Sequence, residues 1–334
     1  MSLAKRLGPV LACGKTLRFT DHVSIDLVDV KVPEKMRTLY ERAETGVHIE
    51  TDEKVVYKHI TPGTDPRVRR EAIFVRLLSP LVMLRSTPHV LLPVGIHVGE
   101  HRSTFIMELG GRTLHSVAQD KFMTENKLAT LLFQVVFSLC IIRDSVPGFV
   151  HGDLHTGNVL VNQNVTPYVA KYSGFDPITV TQEAMLCDFY YGQINAVQHE
   201  SFDIVFLLDA LLKLLFKRKK LARRYARVFR LCRKFVPVSC RYRSNRIQEH
   251  DRDRLRQLKA PDAPLSALND ILWGFFGLLE PAAPETGLIR YSGLSLHKLH
   301  QRRVAEILSD DPLHGAEELD EDDDITAIVA LDNP

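Results

Sequence analysis

The sequence FVHGDLHTGNVLV at residues 149–161 places Asp153 and Asn158 five residues apart in a polar loop. Apolar, β-branched residues lie on both sides of the loop, and this pattern predicts a short strand before it and another after it. A carboxylate in such a loop can accept the proton of a hydroxyl group, and an amide oxygen nearby can help to hold a metal ion. The D-x-x-x-x-N spacing alone is also typical of an ordinary surface loop rich in His, Gly and Asp.

The flanking residues favour the chemical interpretation, because the whole stretch resembles the catalytic loop of the protein-kinase-like superfamily. Its form, HGDLHxGN, is found in aminoglycoside and choline phosphotransferases, in haspin and in kinases of large DNA viruses. The resemblance implies that Asp153 is the catalytic base and Asn158 a metal ligand. It implies that His151 packs structurally, and it leaves open whether His155 touches the γ-phosphate of ATP. Gly152 stands in place of the arginine of the HRD pattern, so a phosphorylated loop would lack its usual cationic partner.

A second element, AMLCDFYYG at residues 184–192, places Asp188 after a short apolar strand. The resemblance makes Asp188 the second metal ligand, at the position of the DFG aspartate. Tyr190 stands where that motif has glycine, and we expect the missing backbone freedom to disfavour an in/out switch of this segment. The stretch 162–183, between the two motifs, is long for the family and is predicted to form an inserted hairpin or loop.

Upstream, the strand KVVYKHI at residues 54–60 resembles the V-A-I-K element. The resemblance implies that Lys58 contacts the α- and β-phosphates of ATP. A lysine on a strand can also be a solvated face residue, but the helix predicted to follow carries Glu71 in a position to pair with Lys58. An exposed helix carboxylate is the alternative for Glu71.

The stretch FIMELGG at residues 105–111 resembles the strand and hinge that receive adenine. By this resemblance Met107 guards the back pocket, and Glu108 and Leu109 offer backbone hydrogen bonds. The glycine-rich loop over the phosphates is represented by Gly46 alone, which predicts a poor cover. LACGKT, near the N-terminus, is not a Walker A motif, because Pro9 occupies the position of its first glycine.

The segment HESFDIVFLLDALL, at residues 199–212, resembles the helix whose aspartate, here Asp203, ties down the backbone of the catalytic loop. A charge near a helix start, favoured by the macrodipole, is the simpler interpretation of Asp203 alone. The interval from Asp188 to Asp203 is short and contains no A-P-E element. We therefore expect no regulation by phosphorylation of an activation loop.

Composition sets broader limits. The chain has 334 residues, of which 45% are hydrophobic and 25% charged, and its net charge is +2. This balance predicts no strong global attraction to nucleic acid or anionic membranes, so nucleic-acid binding is not expected as the main function. Five scattered cysteines without a CxxC pair indicate a reducing compartment, hence the cytoplasm or nucleus, of a host cell if the protein is viral. No transmembrane segment or secretory signal is predicted.

Two segments of opposite charge remain unexplained by the resemblance. Residues 217–234 carry many Lys and Arg and no acid, and they could bind an acidic partner such as an acidic substrate, nucleic acid or anionic lipid. They could also be a solvated face, met by the acidic run EELDEDDD at residues 317–324. That run is itself predicted to be solvated or disordered.

The fold class expected is α+β, in the form of a bilobal protein-kinase-like fold. Residues 1–107 would form an N-terminal lobe with a small antiparallel β-sheet and one helix at about 67–79. A hinge at 108–112 would lead to a helical C-terminal lobe at 113–312, followed by the acidic tail at 313–334. ATP and Mg²⁺ would lie between the lobes.

The expected activity is that of a serine/threonine protein kinase with an unidentified protein substrate. Over residues 45–210 the chain looks most similar to divergent kinases of large double-stranded DNA viruses and, more distantly, to haspin. One alternative is a small-molecule kinase of the aminoglycoside or choline type, which the form HGDLHTGN and the short interval before Asp203 both favour. Another is a pseudokinase scaffold, which the degenerate glycine loop and the altered DFG favour.

Overall fold

The structure is a computed structural model with a mixed α+β architecture. The acidic run 317–324 and the LACGKT motif lie outside the residues it describes. Those residues are 30–31, 38–40, 43–48, 54–60, 66–83, 86–97, 103–146, 148–194, 200–237, 265–282 and 288–291.

An antiparallel sheet forms the N-terminal part. Its strands follow the order β1-β3-β4-β6-β5, and β2 pairs with β3. The central strand β4 is rich in Val and Ile, which suit a pleated, half-buried surface, and its register sets Lys58 opposite Phe105 of β6. The strands are β1 (Val30–Lys31), β2 (Thr38–Tyr40), β3 (Ala43–His48), β4 (Lys54–Ile60), β5 (Pro93–His97) and β6 (Ser103–Glu108).

A single helix, α1 (Pro66–Met83), separates β4 from β5 in the chain. Pro66 is its first residue, where a missing N–H costs no hydrogen bond. The helix is longer at both ends than the predicted 67–79, because Leu81 and Val82 continue its buried apolar face.

Helices dominate the C-terminal part, together with two small three-stranded sheets. One sheet has the order β11-β8-β7, and the other has the order β10-β9-β12 with β12 parallel to β9. The stretch 162–183 contains the antiparallel β9–β10 pair, which confirms the predicted hairpin. The helices are α2 (Leu114–Val117), α3 (Glu125–Ser145), α4 (Phe202–Lys217), α5 (Lys219–Arg224), α6 (Ala226–Phe235) and α7 (Leu268–Phe276). The strands are β7 (Arg112–Thr113), β8 (Val159–Asn162), β9 (Tyr168–Tyr172), β10 (Ile178–Val180), β11 (Glu183–Leu186) and β12 (Ile289–Tyr291).

Backbone hydrogen bonds join the two parts beside β11. The Leu186 N–H donates to the carbonyl of His89 at 2.9 Å, and the Leu91 N–H donates to the carbonyl of Leu186 at 2.9 Å. The connection before β5 is thereby tied to the strand that leads to Asp188. Residues 109–111 form the short link from β6 to β7.

The long helix α3 lies in the core of the C-terminal part. Thr124 caps its start by accepting a hydrogen bond from the Lys127 N–H, and Glu125 places a negative charge in the first turn. Among the described residues it is the one helix long and apolar enough to cross a membrane, and 83% of its apolar window is buried inside the protein. Packing against α7 and β11 accounts for its composition.

Aromatic side chains fill the space between α3, the inserted hairpin and α7. The Phe133 ring lies 5.1 Å from that of Tyr172 and 5.2 Å from that of Phe175, both edge-on, and 5.6 Å from that of Phe276. Edge-to-face pairs add to the burial of apolar surface. Phe133 therefore couples the hairpin to the helical core.

Replacing this central ring should be costly. We expect Phe133→Ala to lower the free energy of unfolding by about 3–5 kcal/mol, because a fully buried aromatic leaves a cavity. Urea denaturation followed by circular dichroism measures the change. Phe122→Ala is the matched control, since Phe122 is 76% exposed, and we expect it to cost about 0.5 kcal/mol or less. Equal losses in the two variants would contradict the packing described.

Candidate active site

An ammonium group bridges two carboxylates at the junction of the two parts. Lys58 Nζ on β4 lies 2.8 and 2.7 Å from the two carboxylate oxygens of Glu71 on α1. The same nitrogen lies 2.6 Å from Asp188 Oδ1, just after β11. Glu71 is 1% exposed, so the predicted pairing with Lys58 is observed and the interpretation as an exposed carboxylate is wrong.

The electrostatics of this cluster follow from burial and mutual attraction. Burial alone would lower the pKa of Lys58, but Glu71 and Asp188 together raise that pKa above its ordinary value. Burial raises the pKa of Glu71, and the nearby Asp188 charge adds to this against the attraction of Lys58. Burial would also raise the pKa of Asp188, yet Lys58 holds it below its ordinary value. Lys58 and Asp188 are therefore charged at neutral pH.

The loop after residue 149 carries the second pair of predicted residues. Asp153 and Asn158 are both buried, and Asn158 Nδ2 donates to the backbone carbonyl of Asp153 at 2.9 Å. The Cys187 N–H donates to the carbonyl of Asn158 at 3.1 Å. Because Cys187 precedes Asp188, this bond sets the loop beside the Lys58 cluster.

The orientation of the Asn158 amide suits a metal ion. Its nitrogen is committed to Asp153, and no described residue donates a hydrogen bond to its Oδ1. An amide oxygen here and the carboxylate of Asp188 are the hard oxygen ligands that Mg²⁺ prefers. No group of three or more His, Cys, Asp or Glu in the described part of the chain could hold a metal by itself. The pair therefore fits an ion that takes its remaining ligands from water and phosphate oxygens.

The carboxylate of Asp203, at the start of α4, binds the backbone of the loop that carries Asp153. Its Oδ2 accepts the His151 N–H at 2.8 Å, and its Oδ1 accepts the Gly152 N–H at 3.1 Å. Burial raises the pKa of Asp203 above its ordinary value, although His151 and the two N–H groups act in the opposite direction. Asp203 is thus bound to the loop backbone as the resemblance implies, and it is more than a charge at a helix start.

The glycine at position 152 has a local structural reason. Gly152 has φ +76, and a Cβ at this position would lie 2.3 Å from the backbone oxygen of Tyr191. Only glycine fits this left-handed backbone at such close approach. The packing against Tyr191 therefore excludes the arginine of the HRD pattern.

The turn after Asp188 has Tyr190 where the DFG motif has glycine, and its backbone shows why. Asp188 itself has φ 67 and ψ 63, and residues Phe189–Tyr191 form one turn of 3₁₀-helix. Tyr190 is helical, so the turn needs no glycine at this position, and its ring lies 5.7 Å from Lys58 Nζ. The loss of an in/out switch stays a prediction.

Phe189 fixes this turn to α1 and to the loop. Its ring centroid lies 6.4 Å from that of Phe74 on α1, 6.4 Å from that of Phe149 and 5.0 Å from that of His151. His151 Nε2 donates to the carbonyl of Cys187 at 3.0 Å. The packing role predicted for His151 is therefore observed.

His155 is held with one of its nitrogens towards Asp153. The Gly157 N–H donates to His155 Nδ1 at 2.9 Å, so the proton of the neutral ring is on Nε2. Nε2 lies 3.8 Å from Asp153 Oδ2. A Cβ at position 157 would lie 2.7 Å from the His155 ring. Gly157 is a site residue that the sequence interpretation missed, although the glycine of HGDLHxGN was its signal.

The predicted nucleotide-binding residues Met107, Glu108 and Leu109 differ in burial and in their hydrogen bonds. Met107 lies on β6 and packs partly buried against the core. Glu108 is already occupied on two sides, since its N–H donates to the Leu92 carbonyl at 3.1 Å and its carboxylate accepts the Leu92 N–H at 2.8 Å. Leu109, the other predicted hinge position, is half-buried.

Gly46 was predicted to lie in a loop that covers the phosphates, and the structure places it elsewhere. It lies inside strand β3, opposite Val55 of β4. The antiparallel ladder of β3 and β4 takes up its backbone, so Gly46 is a strand residue. The connection between β2 and β3 lies outside the described residues.

Comparison with known proteins assigns no family to this chain. No protein-family model matches the sequence, and no curated protein matches it significantly.

The Asp203 anchor can be tested by stability. In Asp203→Asn, one of the two backbone N–H groups faces an amide NH₂ and loses its acceptor. We expect a loss of about 1–3 kcal/mol in the free energy of unfolding, the cost of an unsatisfied buried donor. Chemical denaturation at pH 7 measures it. Asp176→Asn, at an exposed loop position, is the control and should change stability by about 0.5 kcal/mol or less. The anchor would be refuted if both variants unfolded like the wild type.

Proposed function

We propose that the protein is an ATP-dependent phosphotransferase with a bilobal kinase-like fold. In this proposal β1–β6 and α1 form the small lobe, residues 108–112 form the hinge, and the C-terminal part forms the large lobe. The observation that carries the proposal is the contact of Lys58 with both Glu71 and Asp188. A half-buried cation shared by a buried helix carboxylate and a partly exposed loop carboxylate costs desolvation energy, and phosphate binding gives it a purpose.

Each site residue has a role in this reaction. Glu71 orients Lys58, whose ammonium contacts the α- and β-phosphates of ATP. Asp188 and Asn158 would hold Mg²⁺, which neutralises charge on the phosphate oxygens when bound. Asp153 accepts the proton of the attacking hydroxyl, so the acceptor must be an alcohol. Lys58 leaves Asp188 when nucleotide binds, because the phosphates then supply its negative partners.

The acceptor we propose is a Ser or Thr hydroxyl of a protein. This follows the similarity of the motifs to those of viral serine/threonine kinases. A small-molecule alcohol is the second candidate, and a specific observation favours it. Val150 and Gln193 exchange both backbone hydrogen bonds, and α4 begins at Phe202. The segment between Gln193 and Phe202 is therefore short, and it leaves few residues to bind a peptide.

Phosphotransfer with labelled ATP and Mg²⁺ tests the proposal. The acceptors are a panel of basic and acidic proteins, aminoglycosides and choline. We expect wild-type turnover on proteins, and a fall of about 10²–10⁴-fold in kcat for Asp153→Ala, because the general base is lost. Asp188→Ala should also be inactive. Lys171→Met is the matched control, a lysine on β9 outside the cluster, and it should retain activity.

The outcomes separate the alternatives. Turnover on amino sugars or choline and never on proteins would replace the protein-kinase proposal with the small-molecule one. Absence of turnover on every acceptor, with wild type and Asp153→Ala binding ATP equally, would leave a pseudokinase scaffold.

His155 offers a sharper test of how Asp153 is held. In His155→Asn the side-chain oxygen can still accept the Gly157 N–H, but the donor facing Asp153 is gone. In His155→Gln the terminal NH₂ can reach the position of Nε2–H. We expect kcat to fall about tenfold in the Asn variant, because the polar contact with Asp153 at 3.8 Å is lost, with partial recovery in the Gln variant and little change in KM for ATP.

Thermal unfolding of both His155 variants controls for folding. A rise in KM for ATP with unchanged kcat would instead place His155 against the nucleotide.

A further inference from the structure

A dense cationic surface covers α5 and α6 and is not used by the proposed reaction. Ten Lys and Arg side chains lie within residues 217–234, all of them exposed, with no Asp or Glu among them. We call this set the cationic surface. It consists of Lys217, Arg218, Lys219, Lys220, Arg223, Arg224, Arg227, Arg230, Arg233 and Lys234.

The local sequence works against these helices. Lys219 and Arg223, and Lys220 and Arg224, are like charges four residues apart, which destabilises a helix by about 0.2–0.5 kcal/mol per pair. Neither α5 nor α6 has an acidic residue in its first turn, where a negative charge would be favourable. A sequence that breaks local rules in this way indicates a function for the charges.

Most of these charges form no ion pair with the Asp and Glu side chains that the structure describes. Arg224 Nη1 donates to the backbone carbonyl of Asp120 at 2.7 Å. Across the described part of the chain, seven others form no ion pair with any Asp or Glu. The seven are Lys217, Arg218, Lys219, Lys220, Arg223, Arg227 and Arg230.

The underside of the surface is firmly packed. Tyr225, Val228 and Cys232 are buried, and the Tyr225 hydroxyl donates to the Ala118 carbonyl at 2.8 Å. Glu125 of α3 accepts the Val228 N–H at 3.1 Å. Because the apolar face of α6 is used inside the protein, it cannot also insert into a lipid bilayer. The surface therefore offers exposed cations, without an apolar face, to an anionic partner.

The chain contains a polyanion of matching charge. Residues 317–324 hold seven carboxylates in eight positions, and the whole chain has 43 Lys and Arg against 41 Asp and Glu. With the cationic surface and the acidic run set aside, the remainder of the chain is close to neutral. The seven negative charges of the acidic run thus offset most of the ten positive charges of the cationic surface.

We infer that residues 317–324 bind the cationic surface of the same chain. Residues 292–316 connect the run to β12 and can span about 80 Å when extended, more than the width of a domain of this size. Tethering gives a local concentration on the order of millimolar. Single exposed ion pairs are worth about 0.2–1 kcal/mol each and are screened by salt, so the contact is multivalent, reversible and salt-sensitive. It excludes other polyanions from the surface until they displace it.

Zero-length carbodiimide cross-linking of the full chain tests this contact. The reagent condenses a carboxylate with a lysine amine and takes up the water released. At low protein concentration and low salt, the monomer fraction should contain cross-links from residues 317–324 to Lys217, Lys219, Lys220 or Lys234. Lys171 on β9 is the control lysine. Raising the salt to about 0.5 M should remove the cross-links, because screening then acts over a few ångströms.

Two outcomes would overturn the inference. One is cross-links that form equally with Lys171 or not at all, and the other is cross-links found only between chains, which would make a second copy the occupant.

Binding of a heparin oligosaccharide provides an independent measurement. Changing all seven acids of the run to Asn or Gln should tighten it about tenfold by removing a tethered competitor. Asp176→Asn, Asp270→Asn and Glu280→Gln together, all at exposed positions, form the control and should leave heparin binding unchanged. Equal heparin affinity in the two variants would also overturn the inference.

Discussion

A single ammonium group holds three elements of this structure in place. Lys58 Nζ contacts Glu71 on α1 and Asp188 after β11, from its own position on β4. Glu71 is buried, and a buried charge is tolerated only when it is paired; without the lysine the two carboxylates would repel each other. The orientation of α1 on the sheet and the position of the turn at Asp188 therefore depend on this cation.

The C-terminal part has a complementary anchor made of backbone hydrogen bonds. Asp203 binds the N–H groups of His151 and Gly152, and His151 in turn binds the carbonyl of Cys187. Through these bonds the loop and the turn at Asp188 take up one fixed arrangement. Asp153 and Asn158 need no direct contact with Lys58 to be held near it, because Cys187 links their loop to the cluster.

The departures from the kinase pattern have local physical causes. Gly152 occupies a left-handed backbone position pressed against Tyr191, so an arginine does not fit. Tyr190 lies in a helical turn and covers Lys58 with its ring. Gly46 belongs to a strand. These changes leave the charged cluster intact, so they weigh little against the proposed phosphotransfer.

Local sequence was sufficient for several elements and pointed to most of the candidate residues. The β-branched residues within 54–60, the helical spacing after Pro66 and the HGDLHxGN stretch each depend on neighbours a few positions apart, so they are visible without a structure. The contact of Lys58 with Asp188 joins residues 130 positions apart, and the resemblance to a family was needed to suggest their common site. Only the tertiary structure assigned Gly46 to a strand, explained Gly152 by Tyr191 and paired Gly157 with the His155 ring. Those facts depend on distances between packed backbones, and such distances are set by the whole fold.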